Sequence, residues 1–310
     1  MATHFMGGNL GYRYLGFNAA TGKYRYAIDL TMYRYCTGNT APMPTSAQVA
    51  VYNEVPGPNE TFYGTFTLPR LNFGVIPLPG STNCAFVPNV CVEKHFYSDI
   101  IELDQSNSGY HLFYTNCCRN NNIDNLNNPG GQNMTYYAFI PPTFIQNSTP
   151  TFALDPVPYI CAGDTTSILN TAFDPDNDVL TYSLVSALQG YNAYPNPTYN
   201  FPIPPCVYAP TYSAAQPFGP GGVAQVNAFT GLSTYYAPLQ GFYVVAVEVR
   251  EFRNNQLIGI SRLDIQIIVI ACPPNNSPVP ASNTQTSYTV NAGATLCFPI
   301  TFNDAPTDTI

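Results

Sequence analysis

Asp174-Pro175-Asp176-Asn177-Asp178 is the segment with the densest potential for chemistry. Three carboxylates at i, i+2 and i+4 in one loop repel each other unless something neutralises them. A hard cation such as Ca2+, which gathers about six to eight oxygens, does this. The EF-hand pattern does not apply, because its tight-turn Gly and distant Glu are missing. One of two arrangements open to this loop is a Ca2+ site at the end of a β-sandwich. Asp174, Asp176 and Asp178 form it, completed by Asp264, Glu248 or Glu251 from strands brought near by pairing. The competing reading is an Asx-rich turn before a strand, for which Asp-Pro and Asn-Asp are ordinary signals.

Other reactive residues point away from catalysis. The histidines are His4, His95 and His111, and the latter two are expected on one hairpin as sheet residues. Neither G-x-S-x-G nor H-E-x-x-H occurs, so no catalytic residue is assigned and the chain is read as no enzyme. The cysteines are Cys36, Cys84, Cys91, Cys117, Cys118, Cys161, Cys206, Cys272 and Cys297, with no C-x-x-C pair. Disulfides in an oxidising compartment fit them better than zinc. A Cys84–Cys91 bridge is expected to pin the long loop between them. Cys117 and Cys118 are expected to point to opposite faces of a strand and enter separate bridges, one of them to Cys36. The odd count leaves one partner outside the chain, and Cys297 is expected to bond beyond Ile310. Asn59, Asn133, Asn147 and Asn275 head N-x-S/T triplets, a pattern that matters in a eukaryotic source.

Composition bounds what can position these groups. Of 310 residues 9% are charged, with 10 Lys and Arg against 18 Asp and Glu for a net charge of -8. No basic surface exists for a nucleic-acid backbone. No apolar run of about 18 residues spans a bilayer. With 24 Tyr, 19 Phe, 30 Pro and 22 Gly the chain is neither disordered nor helical. Met1 to Phe5 lacks a signal-peptide pattern, so the chain reads as a mature secreted protein.

Period-two alternation marks the strands. Between Lys23 and Cys36, Arg25, Asp29 and Thr31 share one parity while Tyr24, Tyr26, Ile28, Leu30 and Met32 take the other. Strands are also expected at 8–16, 47–52, 62–68, 94–103, 110–118 and 134–140. The 94–103 and 110–118 strands are read as one hairpin, and a second, clearer hairpin spans 241–270 around Arg253 to Gln256. The expected fold is all-β: tandem immunoglobulin/cadherin-like β-sandwich domains over 1–146 and 147–272. A third, truncated repeat over 273–310 is expected because Asn147-Ser148-Thr149-Pro150 is echoed by Asn276-Ser277-Pro278. Tyr159, Gly163 and Asp174 are likewise echoed by Tyr288, Gly293 and Asp304.

The opening His4-Phe5-Met6-Gly7-Gly8-Asn9-Leu10, with Thr115-Asn116-Cys117-Cys118-Arg119-Asn120, resembles large secreted surface proteins of Bacteroidota. So do Tyr243-Val244-Val245-Ala246-Val247 and Asp264-Ile265-Gln266-Ile267-Ile268-Val269. Asp174 to Leu184 is similar to bacterial cadherin-like repeats, although Asn177 stands where Gly is usual. The resemblance covers nearly the whole chain. It implies repeats of immunoglobulin, cadherin or polycystic-kidney-disease type in a gliding-motility-adhesin-like cargo of type IX secretion. It also implies a cell-surface location, partners among glycans, surfaces and the secretion and outer-membrane anchoring machinery, and Asp164-Thr165 and Asp308-Thr309 as O-glycan acceptors. The expected function is a stiff, non-catalytic adhesive array. A homopolymeric filament of the chain with itself and a carbohydrate-binding module of a secreted enzyme are the alternatives.

Overall fold

The computed structural model describes residues 5–37, 41–55, 60–77, 90–156, 159–190 and 202–272. Of the final segment it describes 279–281, 285, 287–293, 295–297 and 300–303. Among the described residues strands dominate, and the one helix is a short 3-10 turn at Pro129–Gly131. No helix among the described residues is long and apolar enough to cross a membrane.

The first half builds seven strands: β1 (Phe5–Asn18), β2 (Lys23–Tyr35), β3 (Ser46–Asn53), β4 (Thr61–Val75), β5 (Val92–Leu103), β6 (Tyr110–Asn116) and β7 (Met134–Ile140). Alternation decides what β2 buries, and Tyr26, Ile28, Leu30 and Met32 are each fully buried. The spatial order is β1-β2-β5-β4-β3-β6-β7. The hairpin expected from 94–103 and 110–118 does not form. Both edges of β5 are taken, by β2 and by β4, so β6 pairs β3 and β7 instead. His95 and His111 therefore do not face one another.

The second half supplies β8 (Thr151–Phe152), β9 (Tyr159–Cys161), β10 (Thr165–Leu169), β11 (Ala172–Phe173) and β12 (Val179–Val185). It continues with β13 (Val223–Val226), β14 (Leu232–Tyr236), β15 (Gly241–Arg253) and β16 (Gln256–Ile270). Asn254 and Asn255 turn the β15–β16 hairpin at φ 52° and 62°, the left-handed geometry that a two-residue hairpin loop requires. One edge of β16 carries β15 along its length, and β12 extends that sheet. Separate small sheets run β10-β14-β13 and β8-β11.

The other edge of β16 is shared. Ser261 pairs with Ala138 of β7, Asp264 and Ile265 pair with Gly8 and Gly7 of β1, and Ile268 to Ile270 run parallel to β9. The pairings β1-β2-β5-β4-β3-β6-β7-β16 thus return to β1, so that no strand of this ring is terminal. Gly7 permits the closure, since a Cβ there would overlap the Asp264 carbonyl oxygen and lie 2.7 Å from Ile265 Cα. Leu10, Tyr26, Ile28, Val49, Leu112 and Tyr136 form the core enclosed by the ring. A second core joins Ile168 and Tyr235 of the small sheet to Tyr243, Val245, Ile265 and Ile267 of the β15–β16 hairpin. The fold is all-β, as expected. Its main strands form one interconnected sheet rather than clearly separate small sandwiches in series.

The chain forms two compact units, one of 1–76 with 90–271 and one of 77–89 with 272–310. Within the second, β17 (Val279–Pro280) pairs with β18 (Phe302–Asn303), Val279 against Asn303 and Pro280 against Phe302. The Ala281 N–H donates to the Thr301 carbonyl at 2.8 Å. Within the first, β8 pairs β11 with Thr151 against Phe173 and Phe152 against Ala172. There the Ala153 N–H donates to the Thr171 carbonyl at 2.9 Å.

Candidate metal centre

The Asp174 loop leaves β11 and enters β12. Asp174 Oδ1 accepts the N–H groups of Asp176 (2.8 Å) and Asp178 (3.1 Å), an Asx turn. Asn177 sits at φ 61°, which Asn tolerates. The turn reading thus describes how the loop is held, and it uses one oxygen of Asp174. The other, Oδ2, is buried and accepts no N–H group. Asp176 turns away and accepts the Ser148 N–H at 2.6 Å. Asp178 takes a two-point ion pair from Arg253, both contacts at 2.7 Å.

Glu251 on β15 completes the cluster. One oxygen each of Asp174, Asp178 and Glu251 lie within 4.8 Å of one another. Glu251 is 0% exposed, and Asp174 is 6% exposed. Glu251 Oε1 accepts the Asn147 amide at 3.0 Å, whereas its Oε2 is buried and is satisfied only through a proton shared with the Asp174 carboxyl. Gly259, opposite Glu251 in the hairpin, makes room for that carboxylate; a Cβ there would lie 2.6 Å from Glu251 Cδ. Burial, with the neighbouring Asp174 and Asp178 charges, raises the Glu251 pKa to about 9, and burial raises Asp174 above the usual range. Three carboxylates and one guanidinium leave two negative charges when all are ionised. That matches a divalent cation, and once Glu251 loses the proton it shares with Asp174 both carboxylates offer hard oxygens of the type that Ca2+ takes.

The cluster sits where the two halves of the sequence meet. The Asn147 amide also reaches the Tyr12 hydroxyl at 3.1 Å, and Arg253 donates to the Gln146 carbonyl at 2.9 Å and to Asn147 Oδ1 at 3.1 Å. Thr149 and Tyr12 exchange backbone and hydroxyl hydrogen bonds of 2.9 to 3.1 Å. Tyr12, Asn147 and Arg253 escaped the sequence reading. Asn147 looked like a glycan acceptor, yet it is 1% exposed and its amide is committed inside the protein. Asn133 lies at the β7 entrance, and Asn59 and Asn275 fall outside the described residues.

Two expected calcium ligands are elsewhere. Asp264 faces Arg119, which donates at 3.2 Å and 2.6 Å and also binds the Asn133 and Leu188 carbonyls. Both partners are buried, Arg119 at 2% and Asp264 at 4% exposure. Burial opposes the Arg119 charge, but the Asp264 carboxylate outweighs it and raises the pKa. Glu248 is 1% exposed and pairs with Arg250 and Arg262.

The disulfides correct the expected connectivity. Cys91 bonds Cys36, with Cα atoms 5.0 Å apart, and not Cys84, which lies outside the described residues. Tyr35 pairs with Val92 across β2 and β5, so the next positions along the ladder, Cys36 and Cys91, stand opposite each other. Cys117 and Cys118 bond each other rather than two distant partners. β6 ends at Asn116, so strand alternation no longer separates them. Cys161 and Cys272 are disulfide-bonded too. Cys206, expected in a bridge, is a buried free thiol, and Cys297 is an exposed one. No family model matches the chain, and no curated protein matches it either.

Proposed function

We propose that the chain is a non-catalytic, extracellular segment of a surface protein, a stiff series of β modules used for attachment to glycans or other surfaces. The observation that carries this reading is the repeated ladder. β17–β18 reproduces the β8–β11 pairing residue for residue, down to the Ala281 and Ala153 hydrogen bonds. Gly163 and Gly293, echoed in the sequence, also share φ values of 81° and 82°. A module that starts twice in one chain is the mark of an array.

Strand order supports an immunoglobulin/cadherin-type module over 147–272. β10-β14-β13 corresponds to a B-E-D sheet, β12-β15-β16 to C-F-G, and β9 runs parallel to the last strand. The 1–146 domain then docks by closing its ring on that module's final strand. Ca2+ held by Asp174, Asp178 and Glu251 fastens the junction, and the disulfides resist extracellular conditions. The Bacteroidota resemblance gives the setting: export by type IX secretion, outer-membrane anchoring and a role in adhesion or gliding.

Labelling of intact producing cells tests this. A membrane-impermeant amine reagent should mark the chain at Lys23 or Lys94. Alkylation without reductant should spare Cys36, Cys91, Cys117, Cys118, Cys161 and Cys272. A chain found inside the cell with those six thiols free contradicts the proposal.

A further inference from the structure

A second convergence of ligands lies at the mouth of the β3–β4 hairpin. Glu54 follows β3, Glu60 precedes β4, and His111 projects from β6, where it pairs with Tyr52. One oxygen of each carboxylate and one ring nitrogen of His111 lie within 4.8 Å of one another. His111 is 6% exposed, and its ring rests against Phe113, Tyr137 and Phe139 at centroid distances of 6.2, 5.8 and 5.2 Å. Its Nε2 meets the Glu54 carboxylate, while Nδ1 lies 3.0 Å from the Tyr137 hydroxyl. Among the described residues, neither Glu54 nor Glu60 forms an ion pair with Lys or Arg.

The geometry points to a divalent transition-metal site at Glu54, Glu60 and His111, distinct in position and chemistry from the Asp174 cluster. An imidazole beside two carboxylates suits Zn2+ and its neighbours, whereas Ca2+ takes oxygen ligands alone. Without metal, Nε2–H donates to the Glu54 carboxylate and Nδ1 is hydrogen-bonded to the Tyr137 hydroxyl; a metal at Nε2 would replace that proton, with Nδ1–H then donated to Tyr137. A ligand histidine held from behind in this way has its ring orientation fixed before the metal arrives. Tyr137 is thus a positioning residue, and the aromatic rings hold the imidazole in place. Three protein ligands leave positions open for water or for an anionic group of a partner. The inference does not depend on the calcium reading.

Calorimetric titration of ZnCl2 into the full chain tests it, with Cys297→Ser to remove the exposed thiol and CaCl2 in excess to occupy oxygen-only sites. The expected result is one Zn2+ per chain that Ca2+ does not displace. Tyr137→Phe should weaken binding about 10–100-fold, and Glu60→Gln should weaken it at least as much. His111→Gln should abolish it. Glu60 is half-buried at a strand end, so Glu60→Gln should fold and keep its metal-free melting temperature even where His111→Gln does not. No uptake of Zn2+, or unchanged affinity in both Glu60→Gln and Tyr137→Phe, overturns the assignment.

Discussion

Glu251→Gln should make the calcium-free protein more stable above neutral pH, the reverse of what losing a buried hydrogen-bonded side chain usually does. The reason is linkage. The Glu251 carboxyl has its pKa raised from 4.5 to about 9, chiefly by burial. Below pH 4.5 folded and unfolded chains both hold the proton, and stability from this group is fully present. Between the two values the unfolded chain releases the proton and the folded chain keeps it, so stability is lost as pH rises. The slope is about 1.4 kcal/mol per pH unit. Gln cannot ionise, accepts the same Asn147 amide and offers an N–H to Asp174 in place of the carboxyl proton that Glu251 shares with it. The variant should therefore gain roughly 3–5 kcal/mol over wild type at pH 8 in chelator. Urea unfolding from pH 5 to pH 9 should show a falling wild-type midpoint and a flatter one for the variant. Parallel curves would remove the buried acid from the account.

Arg119→Met should be among the most damaging single changes. It leaves the buried Asp264 without its two-point partner and strips donors from the Asn133 and Leu188 carbonyls. Breaking one side of a buried pair costs about 3–5 kcal/mol, mostly because the remaining charge is uncompensated. The effect should fall on the seam, since Asp264 stands where β16 pairs with Gly8. Arg119→Met/Asp264→Leu should recover most of the loss, because an apolar pair of similar volume tolerates the site. A double variant no more stable than Arg119→Met would mean that the pair orders its surroundings by more than charge.

Strand positions were legible because they are local. Alternation located β2 and β7 to within a residue, and the Asn254-Asn255 turn located the β15–β16 hairpin. The strand expected over 62–68 extends past Pro69 and continues through an irregularity near Arg70 to Val75. Partnership was not legible. No local pattern tells β16 to serve β15 on one edge and β7, β1 and β9 on the other. Arg119 stands in an Asn-rich stretch without periodicity, and its buried charge is met by Asp264, 145 residues away. The Asp174 loop was visible from its own spacing. Of the three residues offered to complete it, the β12–β15 register selects Glu251, which stands across from Leu180, just after the loop.

In the proposed reading Ca2+ at Asp174, Asp178 and Glu251 fastens the junction between the two halves of the sequence. Titrating CaCl2 into chelator-treated protein at pH 8, with melting temperature followed beside calorimetric heat, tests it most directly. Wild type should bind with heat and gain about 2.7 kcal/mol at a hundredfold excess over Kd, while Glu251→Gln gains nothing from calcium at this junction. Absence of heat and of any shift in wild type, or an equal shift in Glu251→Gln, would contradict it.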